Sequence, residues 1–350
     1  MKGGSRHYTG RRGWPRITRH QTGIRILATV FTPQVTCRVH LLRPTGIVVV
    51  KLTGSITALA TPFDATGAID LPAWRRLISD QISAGSSGLV VAGSTGEAAA
   101  LEVDEFRRIL ADAVAIAAGQ VPILAGTGHS ATAATIARTR IAAECGADAA
   151  LVVTPPYVRP TPDGLIAHYR AVAEHGGLPV LAYNVPTRTG CDMQPETVAV
   201  LAEHPGIVGL KESVPDPSRW ARLRRLRGAE FALLSGDDPT FCETALAGAD
   251  GVISVASNVV PRAYRRLADL ACQGRSDAAR TLDQRLAALY VFLAIEPNPI
   301  PVKALLAALG YGHGLRLPLL PLSDAHADRV RAMLGTLTEI ESGPDAQATA

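Results

Sequence analysis

Lys211 is the residue of this chain best suited to covalent chemistry. Only four of the 35 lysines and arginines are lysines, namely Lys2, Lys51, Lys211 and Lys303. A buried lysine amine can lose its proton and attack a carbonyl carbon to form a Schiff base, whereas an arginine stays protonated. Lys211 ends the apolar run 207–210, which is typical of a strand. This stretch alone fits either a nucleophile at a strand end or a surface lysine.

Polar residues follow three further apolar, strand-like runs. The segments are Gly93-Ser94-Thr95-Gly96-Glu97, Thr154-Pro155-Pro156-Tyr157 and Tyr183-Asn184-Val185-Pro186-Thr187-Arg188-Thr189-Gly190. The glycines beside Ser94 and Thr95 leave backbone N–H groups that could hold a carboxylate. A phosphate loop is the alternative, but the Gly-Lys-Ser/Thr ending is missing. A lone tyrosine packs more often than it catalyses, but two tyrosines, two hydroxyls, an arginine and a lysine together indicate an active site.

An alternation of strands and helices positions these residues. The predicted strands are Gly54–Ala60, Gly88–Val91, Pro122–Gly126, Ala149–Val153, Val180–Asn184, Ile207–Lys211, Ala232–Ser235 and Gly251–Ser254. The predicted helices are Leu71–Ala84, Asp104–Ala117, Ala131–Cys145, Asp163–His175, Pro195–Glu203, Pro217–Leu226, Thr240–Ala247 and Pro261–Ala271. The sequence thus has eight strand–helix pairs, and the strands are apolar on both faces. This pattern favours an α/β fold, the (β/α)8 TIM barrel, over an open sheet. Active sites of this barrel lie at the C-terminal strand ends, where all the polar segments fall.

The barrel is expected over residues 51–272. Three further predicted helices, Ser276–Ile295, Pro301–Ala308 and Asp324–Thr338, make residues 273–340 a C-terminal helical appendage. The polar final segment, Glu341–Ala350, contains Gly and Pro, so we expect a disordered tail there.

Residues 1–50 differ in composition from the rest of the chain, because they hold nine lysines and arginines and no Asp or Glu. Removing these nine charges from the net charge of +4 leaves −5 for the remainder. We predict that this basic leader is disordered or translated upstream sequence. A targeting segment and a nucleic-acid-binding arm are the alternatives, although the latter would group its basic residues on one face or among aromatics.

Cysteine usage and hydropathy indicate a soluble, cytoplasmic protein. The five cysteines, Cys37, Cys145, Cys191, Cys242 and Cys272, are odd in number and widely spaced, which fits neither a disulfide framework nor a paired metal-ligand motif. Reduced thiols are expected, as in the cytosol. No apolar run approaches the roughly 20 residues of a membrane helix.

The chain resembles the dihydrodipicolinate synthase and N-acetylneuraminate lyase family of class I aldolases over nearly all of residues 53–325. The motifs that carry the resemblance are Gly93-Ser-Thr-Gly-Glu97, Tyr183-Asn-Val-Pro-Thr-Arg-Thr-Gly190, Gly209-Leu-Lys-Glu212, Leu234-Ser-Gly-Asp-Asp238, Gly251-Val-Ile-Ser-Val255 and Glu296-Pro-Asn-Pro-Ile-Pro-Val-Lys303. Arg188 favours the synthase branch, because the lyases usually carry apolar residues near that point. Ser94 departs from the Thr-Thr pair that is typical of the synthases.

The resemblance implies condensation of pyruvate with aspartate-4-semialdehyde, the first committed step of lysine and diaminopimelate synthesis. Lys211 would form the Schiff base. Tyr183 would donate and accept protons through Ser94 to Tyr157, and the counterpart of Tyr157 in the family reaches into a neighbouring subunit, which implies a homotetramer built as a dimer of dimers. No metal or organic cofactor is implied, nor any nucleic-acid or membrane partner.

The resemblance also implies how the substrates are held. Thr95 and the backbone at Ile253 would hold the pyruvate carboxylate, and Gly236 would be a further substrate contact. Arg188 would hold the semialdehyde carboxylate with two parallel hydrogen bonds. A pyruvate-dependent sugar-acid aldolase using the same lysine is the alternative enzyme. A catalytically idle barrel that binds a ligand is the alternative outside enzymes.

Feedback inhibition by lysine is expected to be absent. The lysine-sensitive pattern of the family has a serine, histidines, an asparagine, a glutamate and a tyrosine where this chain has Ala98, Val103, Phe106, Ser130, Ala134 and Pro156. Ala134 lacks the carboxylate for the ligand's ammonium groups, and Pro156 lacks the hydroxyl. We expect Val103 and Phe106 to pack the interface cleft instead.

Overall fold

A closed barrel of eight parallel strands forms the centre of the protein. The computed structural model describes residues 52–343. Its strands are β1 Gly54–Ala58, β2 Gly88–Val91, β3 Ile123–Gly126, β4 Ala149–Val153, β5 Val180–Asn184, β6 Ile207–Glu212, β7 Ala232–Ser235 and β8 Gly251–Ser254. They are hydrogen-bonded in chain order, and β1 closes on β8 with Gly54 opposite Gly251. The predicted (β/α)8 barrel is confirmed.

The helices surround the barrel and continue beyond it. They are α1 Leu71–Ser83, α2 Val103–Ala117, α3 Thr132–Glu144, α4 Pro162–His175, α5 Pro186–Thr189, α6 Pro195–Ala202, α7 Pro217–Leu223, α8 Phe241–Leu246, α9 Pro261–Cys272, α10 Ser276–Leu293, α11 Ile300–Ala308 and α12 Ala327–Ser342. Most bounds differ from the predicted ones by one or two residues. The short helix α5 was not predicted, and β1 ends at Ala58 because the N–H of Ala60 turns to the side chain of Asn258.

Two layers of apolar side chains hold the barrel together. Its interior is filled by residues that include Ile56, Val90, Leu124, Leu151 and Leu234. A second cluster lies between the strands and the surrounding helices, and includes Trp74, Phe106 and Tyr264. The interior packing fills the barrel, so a ligand cannot occupy its axis, and active sites of this fold lie at the C-terminal mouth.

The C-terminal helix is longer than predicted. Helix α12 runs through Ser342, and the carboxylate of Glu341 accepts hydrogen bonds from the backbone N–H groups of Arg262 and Ala263. The predicted disordered tail is therefore wrong for its first two residues, because Glu341 satisfies N–H groups at the start of α9 that have no partner within the helix. Residues 344–350 lie outside the described part of the chain.

The leader predicted over residues 1–50 also lies outside the described residues, and we expect it to be dispensable. A chain that starts at Val50 or Lys51 should keep full activity and thermal stability, because it retains every strand of the barrel and Leu52, which is 2% exposed. Steady-state rates and thermal melts check this prediction. A chain that starts at Thr53 is the control, and should lose about 2–5 kcal/mol with that buried leucine. Loss of activity or stability in the Val50 chain would show that the leader contributes to the barrel.

Candidate active site

A cavity of about 290 Å³ lies at the C-terminal mouth of the barrel. Six of the eight predicted site residues line it, namely Ser94, Thr95, Tyr183, Arg188, Lys211 and Gly236. Apolar side chains such as Leu151 and Val185 form its floor and wall. A few polar groups above an apolar base are typical of a site that binds and orients a small molecule.

Lys211 and Tyr183 face each other across neighbouring strands. Their Cα atoms are register partners of β5 and β6, so both side chains point to the same face of the sheet. The Lys211 Nζ lies 4.3 Å from the centre of the Tyr183 ring, and the two side chains are 6% and 7% exposed. The amine is thus held in a largely desolvated position beside a phenol that can exchange protons with a bound substrate.

A polar lock on the outer face of the same strands fixes this register. Asn184 and Glu212 are the next register partners, and the Asn184 amide donates to both oxygens of Glu212 at 3.1 and 3.2 Å. Arg219 donates to Glu212 at 2.8 Å and to Asp192 at 2.9 Å. Burial raises the pKa of Glu212, although Arg219 opposes the shift. Because side chains alternate along a strand, a lock on the outside sets the position of Tyr183 and Lys211 inside.

Gly236 allows the end of β7 to approach the Lys211 side chain. A Cβ atom at Gly236 would lie 2.7 Å from the Lys211 Cε and 2.2 Å from the Ser213 Oγ. Any other residue would therefore displace the lysine. The Ser213 Oγ is buried and has no hydrogen-bond partner among the described residues, so it remains free to bind a substrate.

The hydroxyl loop, residues 93–97, lies opposite the lysine. It is a tight turn in which the N–H of Gly96 donates to the carbonyl of Gly93 at 3.0 Å. Ser94 is exposed to the cavity, whereas Thr95 is buried and accepts a hydrogen bond from the Asn298 amide at 3.1 Å. The Oδ1 of Asn298 is buried without a partner in the described chain, and it is a further group able to bind a substrate.

Arg188 reaches the cavity from the short helix α5. Pro186 starts this helix, and Gly190 ends it in the left-handed conformation at φ 68°. The guanidinium is exposed and donates one hydrogen bond to the Asn298 carbonyl at 3.1 Å. Its other N–H groups can take a carboxylate that enters from solvent.

Comparison with known proteins identifies the family. Residues 51–337 match the Dihydrodipicolinate synthetase family. The chain is 59% identical over 295 residues to the 4-hydroxy-tetrahydrodipicolinate synthase of Xanthomonas campestris pv. campestris, which covers 83% of this chain and 98% of that protein. The corresponding protein of Xanthomonas axonopodis pv. citri is 62% identical over 285 residues, or 81% of this chain and 94% of that protein. This chain belongs to the dihydrodipicolinate synthetase family.

Solved structures of the dihydrodipicolinate synthetase family agree with the fold. The chloride-inhibited dihydrodipicolinate synthase of Acinetobacter baumannii, crystallised with pyruvate, matches with a TM-score of 0.80 and 39% identity over 82% of this chain and 99% of that one. The predicted family, barrel and enzyme class are confirmed, and the activity is that of a 4-hydroxy-tetrahydrodipicolinate synthase.

Two predicted site residues do not line the cavity. Tyr157 lies in the loop after β4, is 91% exposed and has a left-handed φ of 73°. Ile253 lies in the packed barrel interior below the cavity. The relay through Tyr157 and a contact between pyruvate and the Ile253 backbone stay predictions.

Sequence reasoning missed the roles of Asp238 and Asn298, although both stand in the motifs that marked the dihydrodipicolinate synthetase family. Asp238 accepts hydrogen bonds from the N–H groups of Val255 and Ala256 and from the Tyr264 hydroxyl, at 2.9, 2.8 and 2.9 Å. It thereby fixes the end of β8 at the cavity, and burial raises its pKa. The signal available in the sequence for Asp238 was a pair of acidic residues in the loop after β7, whereas Asn298 follows no strand.

Residues 52–343 contain no group of three or more His, Cys, Asp or Glu side chains that could hold a metal ion. None of the helices found there is long and apolar enough to cross a membrane.

Proposed function

We propose that the chain condenses pyruvate with L-aspartate-4-semialdehyde through a Schiff base on Lys211. The observation that carries the proposal is the buried Lys211 amine, 4.3 Å from the centre of the Tyr183 ring, in a mouth cavity that Ser94, Thr95 and Arg188 also line. Family membership supports the same reaction. The site offers a nucleophile, a proton carrier and two places for carboxylates.

The reaction begins when the neutral Lys211 amine attacks the pyruvate ketone carbon. Tyr183 gives a proton to the resulting hydroxyl, so that water leaves and a protonated imine and a phenolate remain. The positive charge acidifies the neighbouring methyl group, and the Tyr183 phenolate takes one of its protons to give an enamine. The enamine carbon attacks the aldehyde carbon, and the alkoxide receives a proton from Tyr183. The neutral amine of the bound semialdehyde then attacks the imine carbon and gives one proton to the lysine nitrogen and the other to the Tyr183 phenolate, so that the bond to Lys211 breaks and the ring closes as a cyclic imine.

Binding of the two carboxylates orients the reactants. We place the pyruvate carboxylate at Thr95 and the adjacent backbone N–H groups, and the semialdehyde carboxylate at Arg188. Ser213 and Asn298 supply the unpaired buried polar atoms of the site. Holding both reactants in one cavity replaces an encounter in solution, which lowers the barrier by several kcal/mol in well-aligned systems.

Product formation from defined substrates tests the proposal. Pyruvate with aspartate semialdehyde should give 4-hydroxy-tetrahydrodipicolinate, whereas pyruvate with a sugar aldehyde should give no aldol. The reverse pattern would favour the sugar-acid aldolase. Absence of both products and of any pyruvate adduct would favour the idle barrel.

Assembly and location belong to the same proposal. The exposed Tyr157 and its neighbour Val158, which is 53% exposed, offer an aromatic and apolar surface beside the mouth. We propose that a second subunit covers this surface within a dimer of dimers, and that the enzyme works in the cytoplasm. Sedimentation of the full chain tests the assembly.

Lysine should not inhibit this enzyme, although Phe106 does not contribute to the insensitivity in the way that the sequence predicted. Phe106 is 1% exposed and belongs to the core, so the prediction that it packs an interface cleft is wrong, whereas Val103 is 54% exposed. The guanidinium of Arg138 lies 4.4 Å above the Phe106 ring and donates to the Ala98 carbonyl at 3.2 Å. This fixed cation among the substituted positions repels an ammonium ligand.

The expected result is no inhibition by millimolar lysine. A bound ammonium without its carboxylate, in a partly desolvated cleft, costs about 2–5 kcal/mol, or at least about thirtyfold in affinity. Initial rates at saturating pyruvate measure the effect, with equal concentrations of sodium chloride as the control for ionic strength. Half-inhibition below about 1 mM lysine would contradict the prediction.

A further inference from the structure

An ion pair lies behind the hydroxyl loop, outside the cavity. The Lys303 Nζ donates to the Glu97 Oε1 at 2.5 Å, and the two side chains are 5% and 2% exposed. The second oxygen of Glu97 accepts the backbone N–H of Arg316 at 3.0 Å. These residues are far apart in the chain, since Glu97 ends the hydroxyl loop and Lys303 lies on α11. We call Glu97, Lys303, Arg316 and the intervening Phe63 the Glu97 brace.

Phe63 joins the two cations of the brace. The Lys303 Nζ lies 4.1 Å and the Arg316 Cζ lies 4.2 Å from the centre of its buried ring. Arg316 also donates to the Gly67 and Ala100 carbonyls at 2.8 Å each, and to both oxygens of Glu105 at 2.6 Å. The brace therefore ties the chain after β1, the loop after β2 and the start of α2 to the C-terminal segment.

The loop that the brace holds is strained at both ends. Ala92 and Glu97 have left-handed φ angles of 54° and 53°, which cost free energy for residues other than glycine. Gly96 leaves little room for a side chain, because a Cβ atom would lie 3.0 Å from the Leu59 carbonyl oxygen. Such a conformation persists only when surrounding contacts fix it. The hydrogen bonds of the Glu97 side chain come from Lys303 and Arg316 of the brace.

Stability alone does not account for the buried pair. Burial lowers the pKa of Lys303, although Glu97 opposes the shift, so taking the ammonium out of water is costly. Buried ion pairs of this kind are often no more stabilising than apolar residues of similar size. Their hydrogen bonds are directional, however, and fix the position of the groups they join. Lys303 is absent from the residues that line the active cavity, so it does not touch the substrate.

We infer that Lys303 is a positioning residue for catalysis: through Glu97 it holds Ser94 and Thr95 at the places that pyruvate binding and proton transfer require. The C-terminal helices are then part of the active-site machinery and not only an appendage. Asn298, two residues before α11, contacts the same loop by donating to Thr95. The inference deepens the proposed function and rests on it.

The first test is the variant Lys303→Met, which shortens the unbranched side chain by one atom and removes the charge. We expect kcat/KM for pyruvate to fall by about 10- to 100-fold in the folded protein, because small displacements of aligned groups cost rates of this order. KM for the semialdehyde should change less, since Arg188 binds it from another loop. Arg280→Met is the matched control. It removes an exposed pair with Glu243, whose members are 50% and 63% exposed, and should leave kinetics unchanged.

The double variant Glu97→Gln/Lys303→Met separates positioning from stability. It leaves no unpaired buried charge, so its melting temperature should recover toward that of the wild type, whereas its kcat/KM for pyruvate should stay low. Lys303→Arg keeps a cation and should regain part of the rate. Full kinetic recovery in the double variant, or unchanged kinetics in folded Lys303→Met, would overturn the inference. Failure of the proposed function would instead appear in the wild type, as missing product.

Discussion

Replacing Lys211 with methionine should lower kcat by at least about a thousandfold, because removal of a covalent nucleophile leaves only binding and electrostatic effects. The variant should still fold, since methionine fills similar space and the polar lock of Asn184, Glu212 and Arg219 lies on the other face of the strands. Rates and circular dichroism of the same preparation check both expectations. A variant that keeps a tenth of the activity would contradict a Schiff base on this residue.

Covalent labelling locates the Schiff base independently of turnover. Borohydride reduction of the wild type with pyruvate should add one pyruvate-derived mass, and peptide mapping should place it on Lys211. Lys303 is the internal control, because its amine is bound by Glu97 and lies outside the cavity. The Lys303→Met variant should therefore still be labelled on Lys211. A label on Lys303, or no label in the wild type, would contradict the assignment of the Schiff base to Lys211.

The barrel and much of its mouth could be predicted because they follow from local patterns. Strands that are apolar on both faces and alternate with helices predict the barrel, and the barrel brings the C-terminal ends of all its strands together. For this reason the sequence alone predicted one shared location, the mouth of the barrel, for Ser94, Lys211, Tyr183 and Arg188. Pairing of Lys211 with Tyr183 also depends on the register, which shifts because Val208 of β6 has no partner between the pairs Val180–Ile207 and Leu181–Gly209.

Contacts between distant parts of the chain could not be predicted in this way. Glu97 and Lys303 are 206 positions apart, and neither local period nor strand order brings a residue of α11 behind the loop after β2. The prediction that Phe106 packs an interface cleft was wrong for a similar reason. Its place on α2 was clear, but Arg138 on α3 covers the ring, and the sequence does not show which helix faces are covered.

The position of Tyr157 illustrates a different limit. One subunit holds it in a loop at 91% exposure, and the chemistry assigned to it requires a neighbour. Packing rules within one chain cannot predict the environment of such a residue, because the proposed contact lies in a second subunit. The proton path predicted beyond Ser94 therefore depends on the proposed oligomer, whereas the proposed first transfer needs only Tyr183.

Removing the Tyr183 hydroxyl as Tyr183→Phe should lower kcat by about 10²- to 10⁴-fold, the usual range for loss of a general acid or base. The ring that lies 4.3 Å from the Lys211 amine remains, so pyruvate should still bind and borohydride should still trap an adduct. The loss should therefore fall on kcat more than on KM for pyruvate. Exchange of the pyruvate methyl protons with deuterated solvent, followed by NMR, should slow in parallel with kcat.

Tyr169→Phe provides the matched control for this change, because Tyr169 is fully buried and its hydroxyl donates to the Val152 carbonyl at 3.0 Å. Loss of that bond should cost about 1–3 kcal/mol of stability without a comparable fall in kcat. If Tyr183→Phe behaved in the same way, with a lower melting temperature and a normal exchange rate, Tyr183 would be a packing residue. A selective loss of proton exchange in a stable variant would identify its phenol as the group that moves the proton.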